Sequence, residues 1–482
     1  MRSILMMSLI LISASHLCSG CRVGPSHQLP SHNLPATYHA QLDKLSLSTS
    51  SHSRESIQRW WNQFNDPTLK DIVEHSVTAN LDIQIAQSRI LEARALLVSA
   101  RTKLDPEANI SATAQRSRIS ANSTMGQIAK SRLIPMEQNL FDTGFDMNWE
   151  IDIFGGKRHS IQAAKADLQG TLFVRQGVLI SVLAEVGTTY FELRSLEQQI
   201  RLTATTITSQ KQSLVLIRDR VKSGLDNELG ALTAERELAG VKALLAPLEA
   251  ARMRALNRLS VLSSLSLDAL KSKLGSGGYS SEFELSKFEI PLGLPSEILR
   301  RRPDIQQAEA DIMATCSRVG IATAELFPKF RLIAAGGLQS VEAADLATAS
   351  SRYWALGPGM RWPILDFRRI RASIRQASAR HEQAFLRYQK SVLIALEETE
   401  NSILTLNQEA ARHKALTEAL AASQSSLKLV TSLYKAGLRS YGEVLLAERN
   451  VWAAQISLVQ SQHMLTQNLI RLFKALGGGN EE

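Results

Sequence analysis

Cysteine is nearly absent from this chain. Cys18, Cys21 and Cys316 are the only three in 482 residues, too few for a disulfide framework or a cysteine-rich zinc site. Aromatic residues make up 5% against 44% hydrophobic overall. The excess is Ala, Leu, Ser and Gln, which suits long helices with small contact residues and argues against one large conventional core. Length alone, at ~150 residues per domain, would allow about three globular domains. No proline stands between Pro135 and Pro247 and none follows Pro363, so two long segments lack the residue that breaks helices by ring clash and a missing N–H. Neither sign of charge dominates: 55 basic residues face 46 acidic ones, a formal +9, which falls by one if a leader containing Arg2 is removed. That balance is too mild and too dispersed for a nucleic-acid site. Beyond the first few residues no uninterrupted apolar run is long enough for a transmembrane helix, which leaves a β-barrel as the form of any membrane-embedded part.

The start of the chain reads as a targeting signal. Arg2 precedes the apolar run Ile4 to Ile12, and Ser19-Gly20-Cys21 follows, the order of a short signal peptide with a small-residue cleavage site. Leu17-Cys18-Ser19-Gly20-Cys21 resembles a bacterial lipobox, with Cys18 where a large aliphatic residue usually stands. The expectation is a signal peptide over 1–20, acylation of Cys21 and an extended lipid-anchored tether over 21–59, rich in Ser, His and Pro. Arg22, rather than Asp, follows the cysteine and favours the outer membrane.

The rest contains one unit twice. Asn80-Leu81-Asp82-Ile83-Gln84 recurs as Arg302-Pro303-Asp304-Ile305-Gln306 at an offset of 222, which also relates Leu104 to Leu326 and Pro106 to Pro328. Further on, Trp149-Glu150-Ile151-Asp152-Ile153-Phe154 answers Trp362-Pro363-Ile364-Leu365-Asp366-Phe367, and Val221-Lys222-Ser223-Gly224-Leu225 answers Tyr434-Lys435-Ala436-Gly437-Leu438, both at 213. The repeats span 60–264 and 295–476, joined by a connector at 265–294 and followed by a tail at 477–482. The change of offset places extra residues between Pro106 and Trp149, as expected of an exposed hairpin loop.

Within each repeat the hydrophobic period changes. Phe145, Met147, Trp149, Ile151 and Ile153 alternate with Asp146, Asn148, Glu150 and Asp152, the two-residue period of a strand with one apolar and one polar face. Trp354, Leu356, Met360, Trp362 and Ile364 keep this parity in the second repeat. Partner strands are expected near Asn109 to Gln115 and Phe330 to Leu338, giving hairpins at about 107–153 and 329–366. Four strands are too few to close a transmembrane barrel, which takes about eight or more, so several chains must share one. Leu179, Val182, Val186, Tyr190, Leu193, Leu196 and Ile200 are spaced by threes and fours, a coiled-coil pattern. A helix from about Gly156 to Lys222 would be roughly 100 Å long. Gly224 and Gly437 interrupt the two long helices at equivalent places, as hairpin tips before helix resumes near Glu235 and Glu448.

Cys21-Arg22-Val23-Gly24-Pro25, Trp149 to Gly155, Leu294-Pro295-Ser296-Glu297-Ile298-Leu299-Arg300-Arg301-Arg302-Pro303-Asp304-Ile305, Glu325-Leu326-Phe327-Pro328 and Tyr434 to Leu438 together resemble the outer-membrane efflux lipoproteins. These are the NodT-type, TolC-like exit ducts of tripartite resistance-nodulation-division pumps. The resemblance covers Cys21 to about Leu476. It implies a mainly α fold with a small membrane β-barrel contribution: a homotrimer whose twelve-stranded barrel sits on a long α-helical barrel crossing the periplasm. It implies passive conduction, with a periplasmic adaptor and an inner-membrane transporter as partners, outer-membrane lipid around the barrel, and no enzyme activity or cofactor beyond the lipid on Cys21. Position by position, the adaptor-contact tips map to Gly224, Leu225, Gly437, Leu438 and Arg439, and the periplasmic gate to Glu443 and Leu446. Three Glu443 side chains would form a cation-attracting ring and Leu446 an apolar constriction. The glycines must end helices in any case, and a lone exposed Glu is as often a solvated side chain. Asp146, Asn148, Glu150 and Asp152 would line the barrel lumen. Trp149 and Trp362 fit either an aromatic girdle or packing where barrel meets helices.

Other chemistry has little support. Gly155-Gly156-Lys157 lacks the earlier glycine of a phosphate loop, His27, His32, His39 and His52 lack ligand spacing, and the ten methionines are scattered rather than paired. Two rivals to an efflux duct remain: the exit duct of a type I protein secretion system, and a non-conducting periplasm-spanning structural lipoprotein.

Overall fold

The computed structural model describes residues 22–26, 35, 37–40, 59–130, 135–224, 227–275, 285, 288, 290, 292 and 294–479. Signal peptide 1–20, Cys21, Leu225, part of the connector and residues 480–482 lie outside them. The described elements, in order, are α1 (Pro67–Ala79), α2 (Leu81–Thr102), β1 (Glu107–Arg118), α3 (Thr124–Lys130), β2 (Glu137–Ile151), α4 (Gly156–Lys222), α5 (Glu228–Ala243), α6 (Leu245–Ser263), α7 (Leu267–Leu274), α8 (Pro295–Arg301), α9 (Pro303–Ala324), β3 (Lys329–Ser340), β4 (Arg352–Arg361), α10 (Phe367–Lys435) and α11 (Tyr441–Ala475). Two compact units result. One comprises Met1–Pro30, Ile90–Gly170 and Ala308–Tyr388; the other comprises Ser31–Arg89, Thr171–Gln307 and Gln389–Glu482. Each draws on both repeats, so the repeats are not separate domains.

The first unit carries the sheet, an antiparallel meander in the order β1-β2-β3-β4. β2 and β3 belong to different repeats and pair from Phe141 with Ser340 to Ile151 with Phe330, so main-chain hydrogen bonds join the two hairpins. The extra residues of the first repeat reside in the loop between β1 and β2, which contains α3, whereas β3 and β4 are joined by a shorter loop with two short 3₁₀ turns. The Trp149 indole N–H donates to the Leu104 carbonyl at 2.8 Å and the Trp362 indole to the Leu326 carbonyl at 3.0 Å. These are repeat-equivalent atoms, so both indoles fix the passage from helix to strand in the same way.

The second unit shows the same duplication. The Asn80 side-chain amide donates to the Leu262 carbonyl at 2.8 Å, and its oxygen accepts from the N–H groups of Asp82 and Ile83 at the start of α2. At the equivalent position, buried Arg302 donates to the Ala475 carbonyl at 3.2 Å and forms ion pairs with Asp304 and Glu398 at 2.8 and 2.7 Å. The Arg-Arg-Arg-Pro-Asp run therefore has a structural purpose: Pro303 opens α9 where no N–H is needed, and Arg302 ties that start to the end of α11.

Leu179, Val182, Val186, Tyr190 and Leu193 of α4 are buried, following the coiled-coil spacing. By length and composition α4 contains a stretch long and apolar enough to cross a membrane, and 44% of that stretch is buried within the chain. An aromatic cluster lies in the same unit. Trp60, 1% exposed, stacks on Phe473 at 6.0 Å and meets Trp61 and Phe64 edge-on at 5.8 and 5.9 Å, while Phe64 contacts Phe191 and Phe288. Residues assigned to a tail continue the fold: the Gly477 and Gly478 N–H groups bond to Lys474 and Phe473 carbonyls, and Gly477 takes φ +79°, capping α11.

His463 on α11 sits beside Gln467 at 2.8 Å, and burial, aided by Arg471, pushes its pKa down from 6.5 to about 4. The unfolded chain binds the proton more readily between those values, so this contribution to stability is complete above pH ~6.5 and is lost as pH falls through the folded pKa. Acidification from pH 6.5 to 5 should cost about 2 kcal/mol at this site. Thermal unfolding should show that loss in the wild type and a smaller one in His463→Gln.

Candidate functional site

Register sorts the strand side chains onto two faces. Directly opposed residues in an antiparallel pair point the same way, and Asp146 faces Asn109 on β1 and Ala335 on β3. One face accordingly carries Glu107, Asn109, Asp142, Asp146, Asn148 and Glu150. Cross-strand polar contacts tie it together: Asn109 to Asp146 at 3.4 Å, Gln339 to Asp142 at 3.0 Å and Arg331 to Glu150 at 3.5 Å. Asp142 was overlooked in the sequence pattern although its parity marks it. The other face carries Ile110, Phe145, Met147, Leu332, Trp354, Leu356 and Met360, with Ile110 89% and Trp354 81% exposed. Such a large uncovered apolar surface needs a non-aqueous environment or a partner.

Asp152 departs from its expected place in the lumen. It lies past the end of β2, and its carboxylate accepts from the Lys157 and Arg158 N–H groups at 3.0 and 2.9 Å and pairs with the Arg158 guanidinium at 3.2 Å. It is the anionic cap of α4, satisfying N–H groups that have no partner inside the helix.

Gly224 and Gly437 end α4 and α10 with φ +71° and +75°. At the second tip the Leu438 N–H bonds to the Leu433 carbonyl and the Gly437 N–H to the Tyr434 carbonyl, both at 2.9 Å, the paired bonds of a left-handed helix stop. The first tip shows the matching bond from Gly224 to Val221 at 3.0 Å; Leu225 lies outside the described residues. Helix resumes at Glu228 and Tyr441, seven positions before each expected restart. Asn227 caps α5 through its side chain, a signal that would have located that start; Ser440-Tyr441-Gly442-Glu443 has the spacing of a capping box, but the Ser440 side chain makes no cap bond. Ile207, Leu214, Ile217, Leu238, Tyr441, Val444 and Leu445 form the core beneath the tips, leaving Leu438 71% exposed.

Partly buried Glu443 and exposed Leu446 lie one turn apart on α11. The Glu443 carboxylate pairs with Arg439 at 3.1 Å and occupies the first turn of its helix, where negative charge is favoured. Each chain thus gives this acid a local partner, worth little at such exposure.

The segment expected to be an extended lipid-anchored tether is held against the fold at two described places. In the first unit the Val23 N–H bonds to the Phe154 carbonyl at 3.3 Å and the Val23 carbonyl lies 2.7 Å from His159 Nε2. In the second, the N–H groups of His39 and Ala40 donate to Glu400 at 2.7 and 2.8 Å, beside buried Tyr38. Cys21 lies outside the described residues. Among those described, no group of three or more His, Cys, Asp or Glu side chains is placed to hold a metal.

Residues 73–263 and 294–478 match the family described as outer membrane efflux protein. The chain is similar to the pyoverdine export outer membrane protein OpmQ of Pseudomonas aeruginosa, 29% identical over 98% of this chain and 97% of that one. It is also similar to the probable outer membrane lipoprotein SilC of Salmonella typhimurium, 27% identical over 98% and 99%. Among solved structures, the outer-membrane channel OprN superposes with a TM-score of 0.85 at 27% identity, over 95% of this chain and 99% of that one.

Proposed function

Because this chain belongs to the outer membrane efflux protein family, we propose that it is the outer-membrane duct of a tripartite efflux pump, conducting small toxic molecules passively from an adaptor and a proton-driven inner-membrane transporter to the outside. The two-faced sheet carries the reading. Four strands with free edges at β1 and β4 cannot close alone, and three copies supply a twelve-stranded barrel with the apolar face toward lipid and the acidic face toward water. The chain does no covalent chemistry. Its contribution is a lumen biased toward cations by Asp142, Asp146 and Glu150, offset by Arg331, and a lower end with Glu443 and Leu446 at the constriction. Acylation of Cys21 anchors each copy to the outer membrane.

Deletion of the gene, tested against antibiotics, dyes, detergents and metal ions, should sensitise the cell to a subset that identifies the cargo, and the wild-type chain should restore resistance. An unchanged panel with altered secreted proteins would instead assign the duct to protein secretion.

The adaptor meets the tips at Gly224, Leu225, Gly437, Leu438 and Arg439. A Cβ on Gly437 would meet no atom within 4 Å, so Gly437→Ala costs only the left-handed backbone strain, about 1–2 kcal/mol, at an exposed turn. Trimer yield should be unchanged while cross-linking to the adaptor falls severalfold. Undiminished cross-linking would remove the docking role.

A further inference from the structure

The docked N-terminal segment borders a pocket that conduction does not use. The Arg22 guanidinium lies 3.2 Å from His159 Nδ1 and donates to the Gln162 side-chain oxygen. Two glycines make the docking possible. A Cβ on Gly320 would run into the His159 ring, and one on Gly24, at φ +119°, would lie 2.8 Å from the Gly320 Cα. Burial holds the His159 pKa below its usual value, with the Arg22 charge acting in the same direction. The ring is therefore neutral at pH 7, donating through Nε2 to Val23 and accepting through Nδ1 from Arg22.

Beside this contact lies an open surface pocket of about 340 Å³ between α4 and α9, and its polar side chains are exposed. Arg22, Gln162, Lys165 and Gln169 give it a polar wall, and Met313 and Cys316 an apolar one. Among the described residues no carboxylate lines it. Gln162, Lys165 and Gln169 fall on one helical face, one turn apart. Lys165 forms no described ion pair or hydrogen bond, and the described partners of Arg22 are both uncharged. Two cations with no acid between them, flanked by amide donors, suit a phosphate. Arg22 directly follows Cys21 in sequence, and Val23 bonds to Phe154 just beyond the end of β2, at the edge where exposed Ile153, Trp362 and Ile364 continue the apolar surface.

We propose that this pocket binds the phosphodiester of an anionic phospholipid from the inner leaflet of the outer membrane, with Arg22 and Lys165 on the phosphate and Gln162 and Gln169 on the headgroup oxygens. The assignment rests on the duct reading for its place at the membrane edge. The lipid holds the described start of the chain, Arg22 to Pro25, on α4 and α9. Basic side chains near a headgroup layer and a neutral histidine, rather than a third cation, match a singly charged phosphodiester.

The test is native mass spectrometry of the purified full-length trimer in detergent, titrated separately with phosphatidylglycerol, phosphatidylethanolamine and inorganic phosphate. Wild type should retain up to one phosphatidylglycerol per chain, in excess over phosphatidylethanolamine. Lys165→Ala should lower that occupancy about fivefold, and the double variant with Arg22→Gln further. Arg22→Lys should keep most of it. Equal phosphatidylglycerol occupancy in wild type and the double variant, with the trimer intact in both, would overturn the proposal. Displacement of the lipid by millimolar inorganic phosphate would also overturn it, assigning the pocket to free phosphate. Bilayer conductance on the same preparations separates the two readings. A conducting wild type without preferential lipid retention ends the lipid site alone, whereas a non-conducting wild type ends the duct reading.

Discussion

Phe145→Arg should abolish most of the trimer in the outer membrane, while Asn148→Arg, three residues along the same strand, should leave it intact. Phe145 stands opposite Ile110 and Gly336 on the apolar face, near the middle of the band that runs along β2 from Phe141 to Ile151. An arginine at bilayer mid-depth costs about 2–4 kcal/mol, and three copies impose that cost three times. A fall in trimer of about tenfold or more is therefore expected. Asn148 lies on the opposite face, directly across from Glu107, where a cation gains acidic neighbours and water. Its variant should assemble normally and shift the ion selectivity of the open channel toward anions. Semi-quantitative immunoblots of outer-membrane trimer and planar-bilayer reversal potentials check the two halves. Loss of trimer in Asn148→Arg with normal yield in Phe145→Arg would reverse the assignment of faces.

Trp60→Ala should be the most destabilising single change in the second unit. The indole is fully enclosed by Trp61, Phe64 and Phe473, and truncation of a buried aromatic costs about 3–5 kcal/mol through lost burial and the cavity left behind. Gly187 provides an independent measure of the same contact, because a Cβ there would lie 2.5 Å from the Trp60 ring edge. Gly187→Ala should cost about 1–3 kcal/mol by overpacking. In the double variant with Trp60→Phe, the smaller ring should recover part of that loss. Apparent melting temperature and protease resistance of the trimer are the readouts. Strictly additive effects would show that Gly187 is not there to admit the indole.

The strands, the long helices and the duplication were legible in the residues because each is written in a local period. Alternation from Phe145 to Ile153 requires only that neighbouring strand side chains point to opposite faces. A helix from Gly156 follows from unbroken helical spacing without proline, and Gly224 and Gly437 mark its stops through their backbone freedom. Asp152 shows where this reasoning overreaches: parity placed it with Asp146 and Glu150, but the strand ends at Ile151, and beyond it the carboxylate turns to the N-terminus of α4. Asn227 was legible and was passed over, since its capping side chain stood in the chain close behind Gly224.

Aligning the repeats puts Asn80 opposite Arg302 without indicating that each reaches a carbonyl at the end of another helix, Leu262 in one case and Ala475 in the other. Nor does the alignment reveal that Trp60 meets Phe473, or that Arg22 meets His159 over two glycines. Period, propensity and capping act through backbone geometry over a few residues, so one sequence determines its own elements, their faces and their duplication. Contacts between residues far apart depend on how those elements pack, on shape and on which polar groups are left without partners. Those the tertiary structure alone decided.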